Sequence, residues 1–306
     1  MINEFLQYLQ YERNYSSHTV LSYKNDLFQF CDFLDISPAQ FSPPSVNSSD
    51  IQKWVLQLMS AGISARSLSR KISALKSFWR FLLKNNRTNQ NPVKNIVLPK
   101  TKKALPAFFK QSEMDDVLDD TFLPEEFERV RDHLIIKLFY ATGIRLSELI
   151  NIEDKDIDAH KKSLRVIGKR NKERIIPISE ELLENLQNYI SLREREISKE
   201  DANLFLRKNG KKMYPMLVYN IVHNSMAEVS AIHKKSPHVL RHTFATAMLN
   251  EGADINAVKE LLGHSSLAAT QVYTHVSFDE LYNIYKRAHP RANKQGGNYE
   301  NKDSSY

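Results

Sequence analysis

Along most of this chain apolar residues recur three and four positions apart, the spacing that puts them on one face of a helix. At the start they stand at Ile2, Phe5, Leu6 and Leu9. The stretch SSHTVLSYKNDLFQFCDFL opens on serines suited to capping and continues helically to about Leu34. FSPPSVNSSD reads as a loop that closes on another cap, with a third helix following to about Gly62. The fourth helix carries the clearest stripe, at Ala65, Leu68, Ile72, Leu75, Trp79 and Leu82. Residues 1–95 are therefore expected to form a helical unit.

The pattern breaks at NPVKNIVLPKTKKALPAF, whose prolines and lysines predict an extended basic linker over 96–107. A second unit, 108–292, opens near QSEMDDVLD, with Ser112 as the expected cap of its first helix. A long helix is predicted from about Pro124 to Thr142, stopped by Gly143. SLRVIGKRNKERIIPI alternates like two short strands around a polar turn, a β-hairpin, and LFLRKNG suggests a further brief strand. Helices then resume, and the polar tail 293–306 is expected to be disordered. The fold class that follows is mainly α with a small β-hairpin or sheet, an α+β chain of two domains.

Composition narrows the function. At 306 residues the chain can build two cores, and 42% apolar content suits a folded protein rather than a disordered one. No apolar run approaches the twenty or so residues that span a bilayer. The start, MINEFLQYLQYERN, lacks the parts of a signal peptide. A lone cysteine, Cys31 within FQFCDFL, excludes an internal disulfide, reads as a core thiol and suits a reducing cytoplasm. Charge is segregated: residues 1–50 hold two basic and six acidic side chains, whereas 51–103 hold twelve basic and no acidic ones. Such a local positive field favours a polyanion, and in the fourth helix Arg66, Arg70, Lys76, Arg80 and Lys84 lie largely off the apolar stripe. Ser67, Ser69 and Ser73 between them allow close approach to a sugar–phosphate backbone.

Candidate chemistry gathers in the second unit. In SPHVLRH, proline sets the first turn of a helix and places His238 and Arg241 on one face, three apart. His238 and His242 have the i, i+4 spacing of helical zinc sites, but Val239 stands where H-E-x-x-H needs glutamate. No metal site is expected, and His242 reads as a residue that packs or supports the site from behind. Gly263 ends a helix immediately before His264, and Tyr273 stands nine residues further on. Arg145 follows the helix-stopping Gly143 closely, with Glu148 one turn away to orient it, and Lys169 occupies the hairpin tip. Taken singly, each has an ordinary structural explanation. Together they are two Arg, two His, a Lys and a Tyr without a carboxylate cluster for magnesium, an inventory that fits phosphoryl transfer free of metal or cofactor. Two guanidinium forks neutralise a pentacoordinate phosphorus, a tyrosine attacks it, a lysine protonates the leaving 5′-oxygen and a histidine accepts the phenolic proton.

The blocks ATGIRLSEL, VIGKRNKERIIPI, SPHVLRHTFATAML, LLGHSSLAATQVYTHV and HPRA, in that order, resemble the tyrosine site-specific recombinases, most closely the bacterial XerC/XerD branch. The resemblance runs from FLQYLQYERNYSSHTVLSY through Ala292. It implies a catalytic set of Arg145, Lys169, His238, Arg241, His264 and the nucleophile Tyr273. It also implies a helical core-binding domain and a mixed α/β catalytic domain clamped around duplex DNA. Four protomers would exchange strands at a dif-like site of two inverted half-sites, with a paralogue and an FtsK-type translocase as possible partners. The last helix, about Phe278 to Ala288, would pack into a neighbouring protomer of the cyclic tetramer. Arg170 replaces the glycine usual after the hairpin lysine and is expected to touch an extra phosphate.

Three other readings compete with chromosome-dimer resolution. One is an integrase of a phage or conjugative element, for which the extra N-terminal arm-binding domain is not expected, because the first helix opens at about residue 2. The others are a non-catalytic DNA-binding protein and a metal-dependent nuclease.

Overall fold

The computed structural model describes residues 1–98, 107–119, 126–168, 171–263 and 277–292. The chain divides into two compact units, Met1–Ala104 and Leu105–Tyr306.

In the first unit α1 (Ile2–Gln7) passes directly into a π-helical turn, Tyr8–Glu12. The hydroxyl of Ser16 accepts from the Thr19 amide and caps α2 (Ser17–Phe33). Asn47 and Asp50 form a reciprocal capping box at the start of α3 (Ser48–Ser60). The organising helix is α4 (Ala65–Lys84), capped by Ser64. Leu68, Ile72, Leu75, Trp79 and Leu82 are buried along it as the spacing predicted, and Phe78 joins them. Ala65 is exposed instead, because it lies in the first turn, beyond the reach of the packed helices. Phe30, Phe41 and Phe78 set their rings edge-on around Trp79. Val93 and Ile96, at the start of the proline- and lysine-rich stretch, are buried in this core. Cys31 lies within it, and burial, then the nearby Asp32, pushes its thiol up to about 11.

The second unit opens with α5 (Gln111–Val117). Its first turn is closed by the Lys110 amide, which donates to Glu113 at 2.7 Å, so Ser112 lies inside the helix and is not its cap. Every residue from Leu134 to Thr142 of α6 (Phe127–Thr142) is buried, which makes this the central helix. Packed against it are α10 (Pro237–Asn250) and α8 (Glu180–Glu196), a helix not anticipated above although Leu182, Leu183, Leu186 and Tyr189 follow helical spacing. Gly143 ends α6 in the left-handed region at φ +60°, where a β-carbon would stand 2.5 Å from a ring carbon of Phe244. Only glycine fits there.

After α7 (Leu146–Asn151) comes a three-stranded antiparallel sheet in the order β1 (Ile157–Asp158), β2 (Ser163–Ile167), β3 (Glu173–Pro177). The hairpin is thus present, with a short extra strand on its edge. Leu164 pairs with Ile176 and Val166 with Arg174, and Leu164, Val166 and Ile176 are fully buried. LFLRKNG makes no regular strand: Leu206 forms only an isolated bridge to Lys212. The segment is held irregularly: the Leu204 amide donates to the Ile152 carbonyl at 2.7 Å, and buried Arg193 donates to the Leu204 carbonyl while its fork grips Asp154.

Among the described residues three further helices follow: α9 (Pro215–Val229), α11 (Ile255–Leu262) and α12 (Phe278–Ala288). α12 buries Leu281, Tyr285 and Ala288 in the core of its own unit. The expected disordered tail, 293–306, lies outside the described residues. Among those described, no helix is long and apolar enough to cross a membrane.

Candidate active site

The end of α6 and the start of α7 place the first guanidinium. Arg145 is the N-cap of α7, and its amide donates to Glu148 Oε2 at 2.7 Å, closing the helix start. Its guanidinium swings back to Glu148 Oε1 at 2.8 Å and to the Gly263 carbonyl at 2.9 Å. The second guanidinium comes from α10. Pro237 fixes the first turn, His238 follows it on the exposed side, and Arg241 one turn further on is buried. Arg241 donates to the carbonyls of Gly143 and Leu262, both at 2.6 Å. Glycine at 143 therefore serves the site as well as the fold, because the turn it permits aims that carbonyl at Arg241.

A third guanidinium, Arg174, was not among the residues singled out from the sequence. It sits on β3 at the inward-facing position opposite Val166. Its fork meets Glu148 through Nη1 to Oε1 and Nη2 to Oε2, both at 2.8 Å, and Nε donates to the Leu261 carbonyl at 2.8 Å. Strand alternation was the available signal. Arg174 shares the face of Ile176, and a charged residue on a buried face needs a partner or a task.

Three consecutive carbonyls at the end of α11, those of Leu261, Leu262 and Gly263, thus each receive a different arginine. Helix ends leave such carbonyls without intrahelical donors and partly negative, so cations are favoured there. The electrostatics remain unbalanced. Three guanidinium groups surround one buried carboxylate. Burial raises Glu148, but hydrogen bonds and charge from Arg174 and then Arg145 outweigh it and hold the acid down to about 2. Burial, with repulsion from Arg145 and Arg174, lowers Arg241 to about 10, still protonated at neutral pH. The cluster therefore carries about two positive charges in excess (three guanidinium groups against one carboxylate), an arrangement suited to an anion.

Of the expected catalytic residues, the structure brings Arg145 and Arg241 together around Glu148, the residue expected to orient Arg145, with His238 one turn from Arg241. Lys169, Arg170, His264 and Tyr273 lie outside the described residues. His242 is exposed and not packed, because α10 turns Val239, Leu240, Thr243 and Phe244 inward.

In the first unit Arg66, Arg80 and Lys84 are exposed on α4, and Lys76 is half-buried. Lys84 lies over the ring of Tyr8 at 5.6 Å. Arg70, also exposed, has a bond within the unit that the sequence did not show. It forms a close ion pair with Asp26 and donates to the Ser22 carbonyl at 3.2 Å. Lys71 also belongs to this network, buried with its ammonium 3.0 Å from Asp26.

Residues 108–280 match the Phage integrase family, and residues 2–86 match its N-terminal SAM-like domain. A tyrosine recombinase XerC of Chlorobaculum tepidum is 38% identical over 317 residues, covering 95% of this chain and 94% of that protein. Another, from Staphylococcus haemolyticus, is 39% identical over 293 residues, covering 95% and 97%. The fold resembles that of the XerH site-specific recombinase bound to its difH substrate, at TM-score 0.67 and 21% identity over 94% of this chain and 84% of that one. It also resembles a lambda integrase fragment on a core site, at TM-score 0.64 and 15% identity over 90% and 98%. With both domains matched and full-length relatives of this identity, the chain belongs to the phage integrase family of tyrosine recombinases, in its XerC/XerD branch, and is a DNA strand-exchange enzyme.

Proposed function

We propose that this recombinase resolves chromosome dimers at a dif-type site during chromosome segregation and cell division, and that Tyr273 is its nucleophile. The phenolic oxygen of Tyr273 attacks the scissile phosphorus while the bond from phosphorus to the 5′-oxygen breaks. A 3′-phosphotyrosine forms and a free 5′-hydroxyl leaves. His238 accepts the phenolic proton, Lys169 donates one to the departing oxygen, and Arg145 and Arg241 grip the non-bridging oxygens, with His264 as a further donor. Rejoining runs the same steps backwards with the hydroxyl of the partner strand, so neither ATP nor a cofactor is consumed.

The observation that carries this reading is the excess positive charge around Glu148, with each guanidinium held by a backbone carbonyl. Guanidinium groups fixed in advance stabilise transition-state charge without rearranging when it develops. The partners that follow are duplex DNA with two inverted half-sites, three further protomers of the same or a paralogous recombinase, and a translocase of the FtsK type. The compartment is the cytoplasm. On the first unit, Arg66, Lys76, Arg80 and Lys84 contact phosphates, as does Arg170 on the second.

Covalent trapping tests the proposal. DNA crosslinked to the chain in cells, when sequenced, is expected to give one site near the replication terminus, with the protein on the 3′-phosphate side of the break. Recovery at a mobile-element boundary would assign the enzyme to integration instead, and adducts that persist in Tyr273→Phe would overturn the nucleophile.

A further inference from the structure

Arg174 has no role in the mechanism above, yet its guanidinium meets both the buried carboxylate and the end of α11. Its fork occupies both oxygens of Glu148, the carboxylate that also orients Arg145. Its Nε holds the Leu261 carbonyl at the end of α11. A β-carbon on Gly263 would lie 3.0 Å from its Nη1, and one on Gly168 would lie 3.6 Å from the same atom and 3.2 Å from Glu148 Oε1. These two glycines directly precede His264 and Lys169 in the chain. One guanidinium plane is thus packed against the backbone leading to both residues and bonded to the acid that aims a third.

We infer that Arg174 is a positioning residue for the phosphoryl-transfer site, fixing Arg145 through Glu148 and setting the spacing between the β2–β3 hairpin and the end of α11; this rests on the function proposed above. Four hydrogen bonds saturate Glu148: two from Arg174, one from the Arg145 guanidinium and one from the Arg145 amide. Without the Arg174 fork the carboxylate keeps only the bonds from Arg145 and is free to turn. Arg145 then loses its fixed direction. Lysine cannot replace the fork, because a single ammonium cannot bond both oxygens in plane while also reaching Leu261.

The test uses the full chain and a nicked suicide duplex carrying the sequence recovered by trapping. Single-turnover adduct formation, DNA affinity and melting temperature are measured for wild type, Arg174→Lys, Glu148→Gln and the double variant. Arg174→Lys is expected to stay folded and to bind DNA within about threefold of wild type, while the adduct rate falls on the order of 10- to 100-fold. The double variant should be little slower than Glu148→Gln alone, since the two side chains act as a unit. Free guanidinium added to a folded Arg174→Ala variant should recover part of the rate. An Arg174→Lys rate equal to wild type would overturn the inference. So would a loss that only follows affinity or folded fraction, or single losses that multiply in the double variant. Failure of the proposed function has a different signature: wild type forms no tyrosine-linked adduct, or Tyr273→Phe forms one.

Discussion

Arg145 and Glu148 hold each other twice, once through the Arg145 amide to Oε2 at 2.7 Å and once through its guanidinium to Oε1 at 2.8 Å. One carboxylate therefore starts a helix and aims a side chain. Because these bonds favour the ionised form, the folded-state acid titrates well below the usual carboxylate range, at about 2. The stabilisation it brings is fully present above about pH 4.3, where the unfolded acid is also ionised, and is lost as pH falls through the folded value. Glu148→Gln leaves two guanidinium groups without a counter-charge and should destabilise the second unit by roughly 3 kcal/mol at neutral pH. The gap from wild type should shrink between about pH 4 and pH 2. Denaturant midpoints at several pH values check this, and a gap that stays constant would contradict it.

Gly143 is predicted to tolerate no side chain. Gly143→Ala meets both a left-handed backbone and Phe244, and the two costs together amount to roughly 2–5 kcal/mol. Adding Phe244→Leu should recover only part of the loss, because it relieves the clash with the ring and leaves the backbone strain. Thermal unfolding of the single and double variants separates the two contributions. A harmless Gly143→Ala would mean that the turn adopts another conformation in solution.

The basic residues of α4 should not behave alike. Arg80→Ala removes an exposed charge and is expected to lower the salt slope of DNA binding by about 0.9 with little change in stability. Arg70→Ala instead leaves buried Asp26 to Lys71 alone. Its main effect should be on stability, with a smaller change in slope. Binding isotherms at several salt concentrations, read beside melting curves, would show equal slopes if this division is wrong.

Lys169→Ala should slow cleavage while leaving affinity nearly unchanged, if the lysine protonates the departing 5′-oxygen. A substrate with sulfur in place of that oxygen has a leaving group that needs no proton. The variant and wild type should then cleave it at similar rates. A persistent difference would move the acid to another residue. Tyr273→Phe should bind DNA and form no adduct on either substrate.

The helical stripe of α4 and the stop at Gly143 were legible because local spacing and a single glycine settle them. The hairpin was legible from its alternation, and the third strand was not, since two residues are too few for a period. LFLRKNG read as a strand because its apolar residues are contiguous, but buried Arg193 takes the Leu204 carbonyl that a sheet partner would have used. The arginine cluster was half legible. Arg145 and Arg241 stand in recognisable blocks, whereas Arg174 hid inside a charge-rich turn, and its partner Glu148 lies 26 positions away. The tie of Arg70 to Asp26 was hidden for a related reason: the two lie 44 positions apart, one in the acidic stretch and one in the basic one.

The one cysteine has a practical consequence. Cys31 is 1% exposed, and its raised pKa leaves little thiolate at neutral pH, so maleimide dyes and thiol crosslinkers should pass it by while the first unit is folded. Single reporter cysteines can then be placed at chosen surface positions in the native background, and the distances between labelled protomers followed through a strand exchange.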